Sequence, residues 1–298
     1  MRYLIGLIGE GISASLTPRM HEAEGSLLGF DYEYRVFDVL NPAYIDENLG
    51  GLLSAARAQG FSAVNITHPF KQRVLALVDH LDEHAAALQA VNLVVFDEGR
   101  LVGYNTDWRG FGFGLETGLP GASLNRVVQV GCGGAGAATA YSLLARGAAR
   151  VDLHDADPRR AEDLARRLGA HYSEQQVSAL ASDDLAAALS SASGVVHATP
   201  MGMVHHPGVA VDLDALGSGA WVSDIVYRPL ETELLRQARR RGHPTIDGGR
   251  MAVGQAYVSL QIITGAEPDI DRMQRHFRAL VRAEEQSGGA GFDDRSDR

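Results

Sequence analysis

Short apolar segments alternate with amphipathic segments along the whole chain. The apolar segments are strand-length, and they lie at Tyr3–Ile8, Tyr32–Val39, Ala63–Ile66, Ala90–Phe96, Val127–Val130, Val151–Leu153, Gly194–His197, Ala220–Ile225 and Thr245–Ile246. Helical periodicity marks Pro18–Leu28, Ala43–Gln59, Phe70–Val78, Gly136–Ala145, Arg159–Leu168, Leu180–Ser190 and Glu231–Arg241. Strands that alternate with helices form βαβ units with right-handed crossovers, so this pattern predicts an α/β fold with mainly parallel sheets.

A glycine-rich turn in the middle of the chain joins one predicted strand to the next predicted helix. Gly131, Gly133 and Gly136 have the spacing G-x-G-x-x-G, and Asp155 follows the next predicted strand. Such a turn lets backbone N–H groups at a helix N-terminus approach a pyrophosphate, while the acid binds a ribose hydroxyl. An ordinary turn between a strand and a helix is the alternative. The strand, turn, helix and downstream acid together favour dinucleotide binding.

The position of this turn predicts two domains. A turn of this kind usually opens a Rossmann domain, so its place in mid-chain indicates a separate domain ahead of it. We expect a substrate domain over residues 1–107, a dinucleotide-binding Rossmann domain over 108–247, and a cleft between them. The apolar helical run Met251–Gly265 is expected to return to the first domain with residues 248–285. The polar tail at 286–298 is expected to be disordered.

Composition narrows the class of protein. The chain has 298 residues, a formal net charge of −10 and 45% hydrophobic residues, which is typical of a globular protein and disfavours nucleic-acid binding. Its apolar runs are too short for a membrane span or a signal peptide, so we expect a cytoplasmic protein. Cys132 is the only cysteine, which excludes an intramolecular disulfide and a thiolate zinc cluster. His205 and His206 lack a metal-ligand spacing, so no metal site is expected.

Seven short motifs occur in order on both sides of the glycine turn. They are SLTP at 15–18, NITHPFK at 65–71, AVN at 90–92, NTD at 105–107, ATPMGM at 198–203, DIVYRPLETELL at 224–235 and DGGRMAVGQA at 247–256. In this order they resemble the shikimate dehydrogenase family from Leu4 to about Leu280, and most closely its NAD-dependent quinate/shikimate dehydrogenases. The resemblance implies reversible hydride transfer between NAD and the ring secondary alcohol of shikimate or quinate, with 3-dehydroshikimate or 3-dehydroquinate as the ketone.

Lys71 and Asp107 are the candidate catalytic residues. Each follows a strand-like segment, where the carboxyl ends of strands in an α/β sheet line a cleft, and a lysine facing an aspartate can transfer a proton. The residues alone also allow a solvated lysine at a helix start and an aspartate that caps the helix Trp108–Leu115. The resemblance makes Lys71 the general acid and base at the ketone oxygen, and Asp107 its partner.

The resemblance also implies which residues bind the two ligands. Hydroxyl and amide side chains suit a polyhydroxylated carboxylate, and the matching positions are Ser15, Thr17, Asn65, Thr67, Asn92, Tyr227 and Gln255. The cofactor positions are Gly131, Gly133, Gly134, Ala135, Gly136, Asp155, Arg160, Thr199, Pro200, Met201, Val226, Gly248 and Met251. Turn-forming Asn and Thr residues and a helix-surface Gln are the plain alternative for the substrate set.

Cofactor preference depends on the residues after the strand Val151–Leu153. NADP-dependent members carry an N-R-T-type stretch where this chain has Asp155–Asp157, so the expected cofactor is NAD, with Arg159 and Arg160 nearby. The sequence leaves open a biosynthetic NADP-dependent shikimate dehydrogenase. It also leaves open whether quinate or shikimate is the preferred substrate, in which direction the reaction runs physiologically, and whether the protein is a monomer or a homodimer.

An alternative hypothesis, from outside the enzymes, is a non-catalytic nucleotide sensor with the same fold. Such a sensor needs neither Lys71 nor Asp107, and both are present. Their retention therefore favours the enzyme.

Overall fold

The computed structural model describes residues 1–44 and 48–289, and its first sheet is built by the amino-terminal part of the chain. The strands are β1 (Arg2–Gly9), β2 (Asp31–Asp38), β3 (Ala63–Ile66), β4 (His80–Leu81), β5 (Leu93–Asp97) and β6 (Arg100–Tyr104). They lie in the order β2-β1-β3-β5-β6-β4, and β5 alone among them runs antiparallel to its neighbours. Three α-helices of this part are α1 (Thr17–Leu27), α2 (Leu49–Ala58) and α3 (Glu83–Leu88).

The second sheet is parallel throughout its described pairs. Helix α4 (Asp107–Gly118) leads into the strands β7 (Val127–Val130), β8 (Arg150–His154), β9 (Gln176–Ala179), β10 (Gly194–His197), β11 (Trp221–Asp224) and β12 (Thr245–Ile246). The crossover helices are α5 (Gly134–Ala145), α6 (Pro158–His171), α7 (Leu185–Ser190) and α8 (Glu233–Arg240). The strand order β12-β11-β10-β7-β8-β9 is doubly wound, so successive strands are added on one side of β7 up to β9 and on its other side from β10 onward. Sheets of this type bind ligands at such a switch point, beyond the carboxyl ends of the strands.

The last two helices follow the second sheet but pack against the first. Helix α9 (Gly248–Thr264) and helix α10 (Ile270–Gly289) share one buried apolar cluster with β1, which includes Ile5, Leu7, Val253, Leu260 and Phe277. Helix α9 also packs along α4, which in turn contacts α5. Helix α4 therefore lies between the two halves of the molecule.

The α/β architecture with two mainly parallel sheets is confirmed, and several local predictions need correction. The strands β4 and β9 were not predicted, and β6 was indicated only as a strand-like segment before Asp107 without bounds, because all three are short and mostly half-buried or exposed. The predicted helix Phe70–Val78 is only a short 3-10 helix, Arg73–Ala76. Helix α2 begins at Leu49 because the Asn48 side chain caps it, not at Ala43 as predicted.

The end of the chain differs in part from the expected tail. Residues 286–289 continue helix α10, and residues 290–298 lie outside the described part of the chain. Over the ranges 1–44 and 48–289, no helix is both long and apolar enough to cross a bilayer.

Candidate active site

Lys71 and Asp107 meet at one edge of the first sheet. Lys71 lies in the turn after β3, and Asp107 begins α4 just after β6. Because β6 runs parallel to β3 across the antiparallel β5, both strands end at the same edge. The Lys71 Nζ atom is 2.6 Å from Asp107 Oδ2, and the two side chains are 22% and 8% exposed. This geometry is a charge-assisted hydrogen bond shielded from most of the solvent.

The second oxygen of Asp107 is held by the protein as well. Asn92 Nδ2 donates to Asp107 Oδ1 over 2.9 Å and to Thr106 Oγ1 over 2.9 Å. Asn92 Oδ1 in turn accepts the Thr106 backbone N–H over 2.7 Å. The Thr106 hydroxyl lies 3.1 Å from Ser259 Oγ on α9. The amide of Asn92 thus fixes the carboxylate, and the carboxylate directs the ammonium group of Lys71.

Lys71 is also distinguished by composition. Lysine and arginine together number 27, and Lys71 is the one lysine, so the other 26 cationic residues are arginines. Arginine stays protonated in proteins, whereas a lysine can lose and regain a proton. The one cationic side chain of this sequence that can readily exchange its proton is therefore the one that Asp107 holds. Counting lysines in the sequence would have given this signal; the motif-based interpretation did not use it.

Four predicted substrate residues lie near or after the carboxyl ends of strands in the first sheet. Asn65 is the second-last residue of β3. Its Oδ1 accepts from the Tyr34 hydroxyl over 2.8 Å, and its Nδ2 donates to the Asn92 carbonyl over 3.2 Å. Thr67 follows β3 directly and is half-buried. Ser15 and Thr17 lie where α1 begins, and the Ser15 hydroxyl accepts the Thr17 N–H over 3.3 Å.

The remaining two substrate candidates come from later in the chain. Gln255 is half-buried on α9, and a β-carbon placed on Gly110 of α4 would lie 2.5 Å from its backbone nitrogen. This close approach brings Gln255 near the start of α4, where Asp107 lies. Tyr227 follows β11 in the second sheet and is 38% exposed.

The glycine turn has the shape that a dinucleotide requires. Gly131 has a φ of 106°, and a β-carbon there would lie 2.5 Å from the Ala198 carbonyl oxygen. A β-carbon on Gly136 would lie 2.2 Å from the Gly131 carbonyl oxygen, so both positions need glycine. Gly133 and Gly134 instead face open space, and α5 begins there without a side-chain cap. Its first N–H groups are therefore available to an anion.

Asp155 completes the turn from the end of β8. Its Oδ2 accepts the Cys132 N–H over 2.8 Å, and its Oδ1 accepts the Asp157 N–H over 3.0 Å. Each oxygen keeps a lone pair for a ribose hydroxyl. Arg160 is exposed, with its Nε 4.0 Å from Asp157 Oδ2. Burial raises the pKa of the Cys132 thiol to about 12, which keeps it protonated and unsuited to act as a nucleophile.

The other predicted cofactor residues lie along the crevice of the second sheet. Ala135 is in the first turn of α5, Thr199, Pro200 and Met201 follow β10, Val226 follows β11, and Met251 lies in the first turns of α9. A β-carbon on Gly248 would lie 2.1 Å from the Ile225 carbonyl oxygen, so α9 starts against the end of β11. The donors, acceptors and open glycine positions fit a dinucleotide in this crevice.

Sequence reasoning missed several polar residues that support the site. Tyr34, Thr106, Ser259, His197 and Asp224 are all buried and hydrogen-bonded to candidate residues or to one another. Thr106 lies inside the NTD motif, and Tyr34 lies in a predicted strand, but the sequence does not reveal the hydrogen-bond partner of either residue. His205 and His206 are exposed, and within 1–44 and 48–289 no group of three His, Cys, Asp or Glu residues could hold a metal ion.

Comparison with known proteins identifies relatives along almost the whole chain. Residues 7–94 match the model of the shikimate dehydrogenase substrate binding domain. A shikimate dehydrogenase (NADP(+)) of Pseudarthrobacter chlorophenolicus is 50% identical over 95% of this chain and 97% of its own length. A quinate/shikimate dehydrogenase (NAD(+)) of Corynebacterium efficiens is 49% identical over 93% of this chain and 98% of its own.

A solved structure gives the same answer for the fold. The quinate dehydrogenase from Corynebacterium glutamicum in complex with NAD superposes with a TM-score of 0.89 and 45% identity, over 93% of this chain and 99% of that one. These identities and coverages confirm the resemblance of the motifs. The chain belongs to the shikimate dehydrogenase family.

Proposed function

We propose that this protein is an NAD-dependent dehydrogenase of quinate and shikimate. It would oxidise the ring secondary alcohol to the ketone of 3-dehydroquinate or 3-dehydroshikimate and catalyse the reverse reduction. The observation that carries the proposal is the only lysine of the chain, Lys71, held 2.6 Å from the nearly buried Asp107 carboxylate. The names of the Corynebacterium relatives support the substrate class and the use of NAD.

Proton transfer falls to Lys71 in this proposal. In the reduction its ammonium group donates a proton to the ketone oxygen, and in the oxidation the neutral amine takes the proton of the alcohol. Asp107 and Asn92 hold Nζ in one direction, so little reorganisation is needed during the reaction. NAD, when bound, supplies the hydride chemistry.

The glycine turn and Asp155 would hold the adenosine diphosphate part of the cofactor. The N–H groups at the start of α5 suit the pyrophosphate, and the Asp155 carboxylate suits the hydroxyls of the adenosine ribose. Relatives of nearly equal identity are named for NADP(+) and for NAD(+), so identity does not choose between the cofactors. The carboxylate of Asp155, followed by Ala156, supports NAD because it would repel a 2′-phosphate.

Six of the seven predicted residues would bind the substrate, namely Ser15, Thr17, Asn65, Thr67, Tyr227 and Gln255. The seventh, Asn92, would instead hold Asp107, because its amide is bonded to Asp107 and Thr106.

A biosynthetic NADP-dependent shikimate dehydrogenase is the second candidate, favoured by the 50% identical relative of that name. The nucleotide sensor has less support, because the ion pair and its supporting amide are complete.

Steady-state assays with both acids and both cofactors test the proposal. We expect oxidation of quinate and of shikimate with NAD, and a lower kcat/KM with NADP. The Lys71→Ala protein serves as the control for turnover by contaminating enzymes. Activity on shikimate with a preference for NADP would support the biosynthetic candidate. Nucleotide binding without turnover of either acid would support the sensor.

A further inference from the structure

A buried polar pair joins the ends of two neighbouring strands in the second sheet. His197 ends β10 and Asp224 ends β11, and the two residues are partners in the parallel register. His197 Nδ1 lies 2.9 Å from Asp224 Oδ1, and the two side chains are 1% and 0% exposed. The loops that continue from these strands carry the cofactor candidates at residues 199–201 and 226. The pair therefore lies at the base of both loops, where each loop leaves its strand.

The hydrogen bonds of Asp224 determine the role of each imidazole nitrogen. Its carboxylate also accepts the Val226 N–H over 3.0 Å and the Thr232 hydroxyl over 2.7 Å. An ionised carboxylate can only accept, so the hydrogen bond between Asp224 Oδ1 and His197 Nδ1 requires a proton on Nδ1. In the neutral imidazole, Nε2 is then an acceptor.

This acceptor holds the first residue of the loop after Ala198. Thr199 Oγ1 lies 2.5 Å from His197 Nε2 and accepts the Met201 N–H over 3.2 Å. With the single ring proton on Nδ1, the hydroxyl proton of Thr199 is directed to His197 Nε2. The methyl group of Thr199 lies against the glycine turn, since a β-carbon on Gly131 would be 2.9 Å from its Cγ2 atom. The side chain is fixed by a hydrogen bond on one side and by packing on the other.

We propose that His197, with a single ring proton on Nδ1, is a positioning residue, which sets Thr199 for the nicotinamide half of the dinucleotide. The inference rests on the proposed dinucleotide function and goes beyond it by assigning a hydrogen-bond polarity. Because its only proton is used by His197, Thr199 can only accept from the cofactor. Its partner is therefore a donor, such as a ribose hydroxyl or the carboxamide N–H of the nicotinamide. A pyrophosphate oxygen, which can only accept, does not fit.

Two substitutions of His197 separate its two hydrogen bonds. Asparagine places an amide N–H near the position of Nδ1, which keeps the donor to Asp224, but it has no atom at the position of Nε2. Glutamine reaches the position of Nε2 and leaves Asp224 without the imidazole N–H. Calorimetric titration with NAD is expected to show affinity about 5-fold weaker for His197→Asn and within about 2-fold of wild type for His197→Gln. The melting temperature of His197→Gln should fall the further of the two.

The substitution Thr199→Val tests whether the effect passes through the hydroxyl group. It should weaken NAD binding by about the same factor, and the double variant Thr199→Val with His197→Asn should be no weaker than either single variant. Factors that multiply to about 25-fold would show independent effects and would overturn the proposal. Thr199 is only half-buried, so this variant remains informative if His197 variants fold poorly.

Titration with ADP gives a second readout, because ADP lacks the nicotinamide half. We expect ADP to bind wild type and His197→Asn equally, whereas equal losses for ADP and NAD would show general damage and overturn the proposal. His154→Asn is the matched control, since this histidine ends the parallel strand β8 and its Nδ1 contacts the Leu180 carbonyl oxygen. Calorimetry needs no turnover, so these results stand even if neither acid is oxidised. Normal turnover with unchanged NAD affinity in His197→Asn would overturn the inference alone.

Discussion

Lys71 Nζ and Asp107 Oδ2 lie 2.6 Å apart although 36 residues separate them in the chain. The hairpin of β5 and β6 accounts for this proximity, because β5 carries the chain away from the edge where β3 ends and β6 brings it back. The carboxylate of Asp107 is bonded on its other oxygen to Asn92, so the ion pair has one defined orientation. Proton transfer at Lys71 is the simplest chemical use of this arrangement.

Substitutions at Lys71 should distinguish proton transfer from simple charge stabilisation. Lys71→Ala is expected to lower kcat by roughly 10²–10⁴, the range for a positioned acid or base, with NAD affinity within about 2-fold of wild type. Lys71→Arg keeps the positive charge beside Asp107 but cannot deprotonate, so its kcat should fall nearly as far. A Lys71→Arg protein with near-native kcat would contradict the proton-transfer role. The effect of Asp107→Asn should be less than additive with Lys71→Ala, because the two residues act as a unit.

The single lysine permits a chemical test that most proteins do not allow. An amine-acylating reagent can modify only Lys71 and the N-terminal amine, since the other cationic side chains are arginines. We expect acylation of Lys71, followed by peptide mass spectrometry, to track the loss of activity. NAD with quinate should slow this acylation, while the N-terminal amine should react at an unchanged rate. Inactivation that follows the N-terminal amine instead would contradict the assignment.

The sequence predicted the second sheet better than the surroundings of Lys71. Val127–Val130 and Gly194–His197 are fully buried strands, and their short valine-rich segments identify them directly. The glycine turn is likewise local, and its backbone requirements are visible in the spacing. These features depend on neighbouring residues alone.

The pairing of Lys71 with Asp107 depends on a strand whose bounds and antiparallel partner the sequence pattern did not give. Strand β6 is mostly half-buried, so it lacks a clear alternation of apolar residues. Its hairpin turn has positive φ at Glu98 and Gly99, which is the type I′ geometry that links two antiparallel strands. The Glu-Gly dipeptide after the predicted strand was a usable turn signal. Partners such as Thr106 and Ser259 are 153 residues apart, and only tertiary packing brings them together.

Neutralising Asp155 should narrow the preference for NAD over NADP. Asp155→Asn keeps an oxygen for the Cys132 N–H and removes the charge that would repel a 2′-phosphate. Like charges a few ångströms apart in a partly exposed site cost roughly 1–3 kcal/mol, so the ratio of kcat/KM values should shift by about 10-fold or more. Asp157→Asn is the matched control, because asparagine can also cap α6 and the charge change is the same. Equal shifts in both variants would show a general charge effect and contradict a specific role for Asp155.

Tyr34 should control how Asn65 meets the acid substrate. The Tyr34 hydroxyl donates to Asn65 Oδ1, so the amide presents its N–H group rather than its oxygen. Tyr34→Phe leaves the amide with its 3.2 Å bond to the Asn92 carbonyl oxygen, so its orientation is less well held. We expect the KM for quinate and shikimate to rise about 3- to 10-fold with little change in the KM for NAD. Tyr32→Phe is the control on the same strand, since its hydroxyl contacts His21 instead. Unchanged substrate KM in Tyr34→Phe would show that Asn65 needs no such support.

His21 should make the protein less stable below neutral pH. Burial lowers the pKa of His21 from 6.5 to about 3, and its Nε2 has no hydrogen-bond partner among the described residues. In the unfolded chain His21 therefore takes up a proton near pH 6.5, whereas in the folded protein its imidazole stays neutral at that pH. The free energy of unfolding should fall by about 1.4 kcal/mol per pH unit between these two values, or about 2 kcal/mol from pH 6.5 to pH 5. Urea denaturation at several pH values should show this slope reduced in His21→Gln and retained in His206→Gln, whose histidine is exposed. The same slope in wild type and His21→Gln would assign the acid sensitivity to other groups.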